Sequence, residues 1–236
     1  MIKAVFFDLY HTLVGYKPPR EQLQAEAANV LGFDSHPEDF RRPITLADEF
    51  FYEEMSKTPL SKRTEAERQA LWFKYQNMVM EAAGFIADAA QIKELLRNMT
   101  SNNMRLALFD DVLPVVSELK NMGKIVGLIS NVDRDVNQLL AGVGMPPLLL
   151  DVIVTSEEAG VSKPHPGIFR EALKRAGVTA EQAVYVGDQY QIDILGAKSA
   201  GLAGVLLDRQ GHYKHITDCP RVESMAELSA LLAASA

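Results

Sequence analysis

The sequence predicts a doubly wound α/β fold on a mainly parallel sheet, with an all-helical domain inserted into it. Three observations carry this. Short runs that are apolar on both faces, as buried parallel strands are, recur at 2–8 (IKAVFFD), 124–131 (KIVGLISN), 183–188 (AVYVGD) and 203–208 (AGVLLD), with a weaker one at 149–157. Stretches of helical period separate them, at 111–123, 133–144, 165–177 and 190–201, and a last one, VESMAELSALLAAS, closes the chain. Strand and helix in alternation are the mark of a parallel sheet covered on both sides. From 15 to 103 the alternation stops and only helical stretches are read: PREQLQAEAANVLG, TLADEFFYEEMSK, TEAERQALWFKYQNMVMEAAG and DAAQIKELLRNM.

Each element has a local reason. The helix over 111–123 ends at Gly123, and those over 165–177 and 190–201 end at Gly177 and Gly201, residues suited to a helix C-terminus. Thr64 and Glu67 have the spacing of a capping box, which starts the third helix of the insertion. Along that helix, Trp72, Tyr75 and Val79 recur at helical spacing and are expected in a core. The expected division is a core of 1–14 and 104–236 and a helical cap over 15–103, with hinges near 14–19 and 101–111.

Composition narrows the function. The chain has 236 residues, a formal net charge of −7 and 47% hydrophobic residues. A net negative surface disfavours nucleic acid and anionic membranes as partners, so a small anionic substrate has to be drawn in by local positive groups. The single cysteine, Cys219, precludes an internal disulfide. The first apolar run ends at Asp8, too short for a secretory signal, and no window approaches the ~20 apolar residues of a membrane span. The expectation is a cytoplasmic protein, acting as a monomer or homodimer.

In an open parallel sheet, ligands bind just past the carboxyl ends of the strands. The first strand ends in Asp8, Tyr10 and Thr12. The strand over 124–131 ends in Ser130 and Asn131. Lys163 follows in SKPHP, and the strand over 183–188 ends in Gly187 and Asp188, with Asp193 five residues on. Acids, small hydroxyls and one lysine therefore gather where a site should be.

Four segments in this order, FFDLYHTL, LISNVD, VSKPHPGIF and VYVGDQYQID, resemble the motifs of the haloacid dehalogenase superfamily of hydrolases, and the helical block resembles that family's cap. The resemblance implies Asp8 as a nucleophile that splits one hard displacement into two easier ones through a covalent aspartyl intermediate. Thr12 and Ser130 would orient anionic oxygens. Lys163 would hold the substrate's anionic group and keep Asp8 ionised, and Asn131 would order the substrate side. The family's metal ligands would correspond to Asp8, the backbone carbonyl of Tyr10 and Asp188, with Asp193 supporting them from behind and Mg²⁺ as the cofactor.

Tyr10 divides the possibilities. Most phosphatases of the superfamily have Asp there, a general acid and base worth about 10²–10⁴-fold. Its 2-haloacid dehalogenases have Tyr, and a departing halide needs no proton. Yet those dehalogenases work without metal, carry Ser and Asn in the fourth motif, and have a tyrosine where this chain has Phe169. A carboxylate at Asp188 beside Asp8 calls for a cation between them. The preferred expectation is a Mg²⁺-dependent phosphohydrolase acting on a small phosphorylated metabolite. Metal-independent dehalogenation is the second reading, and a phosphate- or metal-binding regulatory protein the third.

Overall fold

The computed structural model describes residues 1–101, 104–132 and 135–234. Asp133, which closes the second motif, lies outside the described residues, as do 102–103 of the expected hinge. The chain falls into two compact units, one of Met1–Gly15 with Ala107–Ala236, the other of Tyr16–Leu106. In order, the elements are β1 (Ala4–Phe7), β2 (Val14–Lys17), α1 (Arg20–Val30), α2 (Pro37–Lys57), α3 (Glu65–Ala82), α4 (Ala89–Ser101), β3 (Arg105–Leu108), α5 (Val112–Asn121), β4 (Ile125–Ser130), α6 (Val136–Gly142), β5 (Val152–Thr155), α7 (Ser156–Ala159), α8 (Pro166–Ala176), β6 (Ala183–Gly187), α9 (Leu195–Ser199), β7 (Ala203–Leu207), β8 (Arg221–Val222) and α10 (Met225–Ala234).

The first unit is built on a six-stranded parallel sheet in the order β5-β4-β1-β6-β7-β8. The α/β fold is as the sequence predicts. From β1 the path runs to β4 and β5 on one side, then returns to β6 and β7 on the other. The order therefore reverses beside β1, where Phe7 pairs with Leu128 on β4 and Val186 on β6. The strands are apolar because both faces are covered. On one face Phe6, Ile129, Val154 and Tyr185 bury with Ile168, Phe169 and Ala172 of α8 and Ala197 of α9. His165 caps α8 by accepting from the Gly167 N–H, Pro166 stands at its first turn, and Gly177 ends it at φ 66°.

The second unit packs α1 to α4 around Ala25, Ala28, Phe40, Ile44, Ala47, Val79, Met80, Ile92 and Leu95. The capping box is present: the Glu67 N–H donates to Thr64 Oγ1 (3.3 Å), and the Thr64 N–H donates to Glu67 Oε2 (2.7 Å). Arg20 and Asp48 pair within this unit at 2.5 and 2.9 Å, and the Tyr75 hydroxyl donates to the same Asp48 (2.9 Å). Val79 is fully buried and Tyr75 partly so, whereas Trp72 is 38% exposed and stacks on Phe51, with ring centroids 4.8 Å apart.

Three expectations are corrected. The stretch from 15 is not helical throughout, since 14–17 forms β2, which pairs with β3 in a separate two-stranded sheet. The helix expected from Thr45 starts at Pro37 and runs through Pro43, because Phe40, Pro43, Ile44 and Ala47 share its buried face, and that burial outweighs the proline's lost hydrogen bond. The helix expected over 190–201 is instead a wide π turn at Tyr190–Ile194 followed by α9.

One guanidinium ties distant segments of the first unit together. Arg209, just after β7, donates to both carboxylate oxygens of Asp111 (2.8 and 2.9 Å) and to the carbonyl of Thr12 (3.0 Å), with its Cζ 4.1 Å from the Phe109 ring centroid. The Phe109 N–H donates to the Leu13 carbonyl (3.1 Å), and its ring lies so close to Gly15 that a Cβ there would meet it at 2.6 Å.

Candidate active site

The carboxyl ends of β1, β4 and β6 converge where the strand order reverses, the place at which ligands bind in such sheets. Asp8 follows β1 directly, its N–H donating to the Val186 carbonyl (2.9 Å). The chain then folds into a tight turn in which Leu9 O accepts from the N–H groups of both Leu13 and Val14. Within it His11 stands at φ 62°, a left-handed conformation uncommon outside glycine. Tyr10 is half-buried and bridges to Val14. Thr12 is fully buried, and its hydroxyl finds no hydrogen-bond partner among the described residues.

Lys163 lies at the centre of the site. It is 2% exposed, and its ammonium donates to Asp8 Oδ1 (2.5 Å), Asp193 Oδ1 (2.7 Å) and the Tyr185 hydroxyl (2.7 Å). An ammonium has three N–H groups, so this set uses them all. Asp193 is held further by the Tyr185 hydroxyl (3.0 Å) and the Gln189 N–H (3.0 Å). The π turn follows from this grip: the Gln189 carbonyl accepts from both the Asp193 N–H (2.8 Å) and the Ile194 N–H (3.4 Å), which widens the turn and presents the carboxylate inward. Asn131, read from the sequence as a substrate contact, instead bonds the main chain of Lys163 with both ends of its amide: Oδ1 accepts from the Lys163 N–H (2.7 Å) and Nδ2 donates to its carbonyl (3.0 Å). Ser130 is buried at the tip of β4.

The electrostatics follow from burial. Loss of water pushes the Asp8 carboxyl up to about 6 from an ordinary 3.8, although the Lys163 ammonium pulls it down, and Asp193 adds to the rise. Burial works against the Lys163 charge, but Asp193 and Asp8 together raise it to about 12. Burial, with Asp193 and Asp8 nearby, lifts the Tyr185 hydroxyl well above its usual range, so it stays neutral and can both accept and donate.

Oxygens of Asp8, Asp188 and Asp193 come within 4.8 Å of one another. Three carboxylates against the one lysine leave two negative charges in a site of which most is buried. Hard, all-oxygen donors of this kind suit Mg²⁺ or Ca²⁺. The residues thus fit a divalent cation.

Gly187 makes the arrangement possible. A Cβ there would fall onto the Asp193 carboxyl carbon and its Oδ2. Gly187→Ala therefore has to displace Asp193 from Lys163, and it is expected to cost on the order of 2–4 kcal/mol, by overpacking and by weakening a buried ion pair. Urea unfolding measures this, and a loss below about 0.5 kcal/mol would mean that Asp193 is not fixed by this contact.

Sequence reasoning missed Tyr185, Gln189, and the tie from Arg209 to the turn after Asp8. Tyr185 had a signal. A tyrosine in an otherwise aliphatic parallel strand has a hydroxyl that must find a partner.

A parallel sheet with such a polar cluster at its switch point is the architecture of an α/β enzyme, and comparison with known proteins specifies which kind. Residues 2–201 match the haloacid dehalogenase-like hydrolase family, and the chain belongs to that family. It is 30% identical over 98% of its length to haloacid dehalogenase-like hydrolase domain-containing protein 3 of Danio rerio, covering 96% of that protein. It is 29% identical to the glyceraldehyde 3-phosphate phosphatase of Methanothermobacter thermautotrophicus, over 89% of this chain and 87% of that one. Among solved structures, the 2-haloacid dehalogenase of Pseudomonas syringae pv. tomato superposes with a TM-score of 0.58 at 26% identity, over 100% of both chains. Among the described residues, no helix is long and apolar enough to cross a membrane.

Proposed function

We propose that this hydrolase is a Mg²⁺-dependent phosphatase of small phosphorylated metabolites, working through an aspartyl phosphate on Asp8. The observation that carries the reading is the charge of the site: the carboxylates of Asp8, Asp188 and Asp193 cluster, Lys163 pairs with Asp8 and Asp193, and a divalent cation balances the remainder. The phosphatase name of a relative 29% identical over most of the chain supports the same reading. Asp193 is already held by Lys163, Tyr185 and the Gln189 N–H, which leaves Asp8, Asp188 and the carbonyl of Tyr10 to hold the metal. Bound there, Mg²⁺ supplies positive charge for the phosphoryl oxygens.

The chain's own residues do the remainder. A carboxylate oxygen of Asp8 attacks phosphorus as the bond to the leaving oxygen breaks, and water then cleaves the acyl phosphate to release phosphate and restore Asp8. Lys163 favours the ionised form of Asp8. Thr12, whose buried hydroxyl has no partner among the described residues, and Ser130 donate to the anionic oxygens. Asn131 fixes the Lys163 loop. With tyrosine at position 10, no carboxylate stands there to protonate the leaving group, so acyl and aryl phosphates are turned over faster than alkyl phosphates.

Phosphate release from acetyl phosphate, p-nitrophenyl phosphate and glyceraldehyde 3-phosphate, with Mg²⁺ and with EDTA, tests this. Release that requires Mg²⁺ and falls from the first substrate to the last is the expected result. Tyr10 and the likeness to a solved dehalogenase favour one other reading, hydrolysis of a carbon–halogen bond. Chloride release from L-2-chloropropionate that EDTA leaves unchanged, without phosphate release, would put that reading in place of the first.

A further inference from the structure

Thr12 is fully buried and β-branched, so its hydroxyl takes its direction from the backbone that carries it. That backbone is pinned at the peptide plane joining Thr12 to Leu13. On one side of the plane the Leu13 N–H donates to the Leu9 carbonyl (2.9 Å). On the other side the Thr12 carbonyl accepts from Arg209 Nη2 (3.0 Å), and among the described residues no other group donates to it. Arg209 is itself held. The second hydrogen of Nη2 goes to Asp111 Oδ1 (2.9 Å), and Nη1 donates to Asp111 Oδ2 (2.8 Å). Asp111 is fixed in turn by the Met225 N–H at the start of α10 (3.0 Å), and the Phe109 ring centroid lies 4.1 Å from the guanidinium carbon. A planar fork gripped at two points by a carboxylate has little freedom to swivel.

We propose that Arg209 is a positioning residue for the substrate's anionic group: by holding the peptide after Thr12, it aims the Thr12 hydroxyl at the substrate's oxygens. This rests on the phosphatase reading above. The hydroxyl has no partner among the described residues, so its aim depends on the main chain. Without Arg209 the Thr12 carbonyl is left buried and without a donor, and the peptide turns to find one. The nucleophile has anchors of its own. The Asp8 N–H donates to the Val186 carbonyl (2.9 Å) and the Asp8 carboxylate meets Lys163 (2.5 Å), so the loss falls on Thr12 and not on Asp8.

The test measures phosphate release from p-nitrophenyl phosphate and acetyl phosphate with Mg²⁺, and its inhibition by orthophosphate. Wild type, Arg209→Met, Thr12→Val and the double variant are compared, at a temperature where circular dichroism shows each to be folded. Thr12→Val is expected to lower kcat/KM about 10–100-fold, the scale of one hydrogen bond to a charged group. Arg209→Met should lower it about 10-fold when Thr12 is present but less than about 2-fold in the Thr12→Val background, because the two act as a unit. Inhibition by orthophosphate should weaken in the same non-additive pattern. A general structural loss would instead be the same in both backgrounds. Equal losses in the two backgrounds, wild-type kcat/KM in Arg209→Met, or wild-type kcat/KM in Thr12→Val each overturn the inference and leave the phosphatase reading intact. If wild type releases phosphate from neither compound, the phosphatase reading fails and the inference falls with it. Should Arg209→Met not fold, Arg209→Lys, which keeps a charge beside Asp111 but loses the fork that reaches Thr12, is measured against the same criterion.

Discussion

Asp8→Asn is expected to abolish turnover and at the same time stabilise the metal-free protein. The loss of activity should be on the order of 10⁴-fold or more, since the amide cannot form the covalent intermediate proposed for Asp8. The gain in stability comes from the same burial that makes Asp8 unusual. Its carboxyl is raised from 3.8 to about 6 in the folded protein. Between those values the folded state holds a proton that the unfolded chain has released, so stability falls as pH rises through that window. Above about pH 6 the deficit is complete, at about 3 kcal/mol for a rise of this size. Asparagine resembles the protonated acid and escapes it. The difference between variant and wild type should therefore be about 3 kcal/mol at pH 8 in EDTA and vanish below about pH 4. Urea unfolding at both pH values measures it. An Asp8→Asn variant no more stable than wild type at pH 8 would show that Asp8 carries no such burden.

Lys163→Met should act in the opposite sense on the fold. The methionine keeps most of the apolar stem, but the ammonium that meets Asp8, Asp193 and Tyr185 disappears. Removing one partner of a buried pair leaves the other as an uncompensated charge, at a cost of about 3–5 kcal/mol. Here two carboxylates lose the same partner, which places the expectation at the upper end. The effect belongs to neutral pH. In acid, Asp8 is protonated and the penalty shrinks. Chemical denaturation at pH 5 and pH 8 in EDTA separates the two, and a loss below about 1 kcal/mol at pH 8 would contradict the role given to this lysine. Activity should fall with it, through Asp8 rather than through a lost grip on substrate, because every N–H of Lys163 is already committed to the protein.

How far the sequence could be read depended on distance along the chain. Asp8, Ser130 and Asp188 were legible because each stands at the end of an apolar run, and a parallel sheet brings such tips together; Lys163 was legible only through the SKPHP segment that follows β5 and α7. Thr64 and Glu67 were legible because a capping box is a local event. The start of α2 was placed too late, at Thr45, because local preference opposes a helix at Pro43, while the burial that overrides it involves residues far away in sequence. The strands β2 and β3 are four residues each, and their partnership spans the whole insertion. The task of Asn131 was obscured because its partner is 32 residues away and is main chain, which leaves no mark in side-chain chemistry. Arg209 and Asp111 are 98 positions apart. The π turn could not be seen either, since periodicity registers helix but not the pull of one buried lysine on Asp193.

The contacts of Phe109 and Arg209 bear on how this architecture changes over time. The chain leaves the first unit after Gly15 and returns to it at Ala107, and both departure and return are pinned to the same aromatic ring and the same guanidinium. The two cut ends are already neighbours, so whatever is spliced between them need not alter the turn that presents Asp8. The spliced stretch can be lengthened or exchanged as a module while the turn after Asp8 keeps its own anchors.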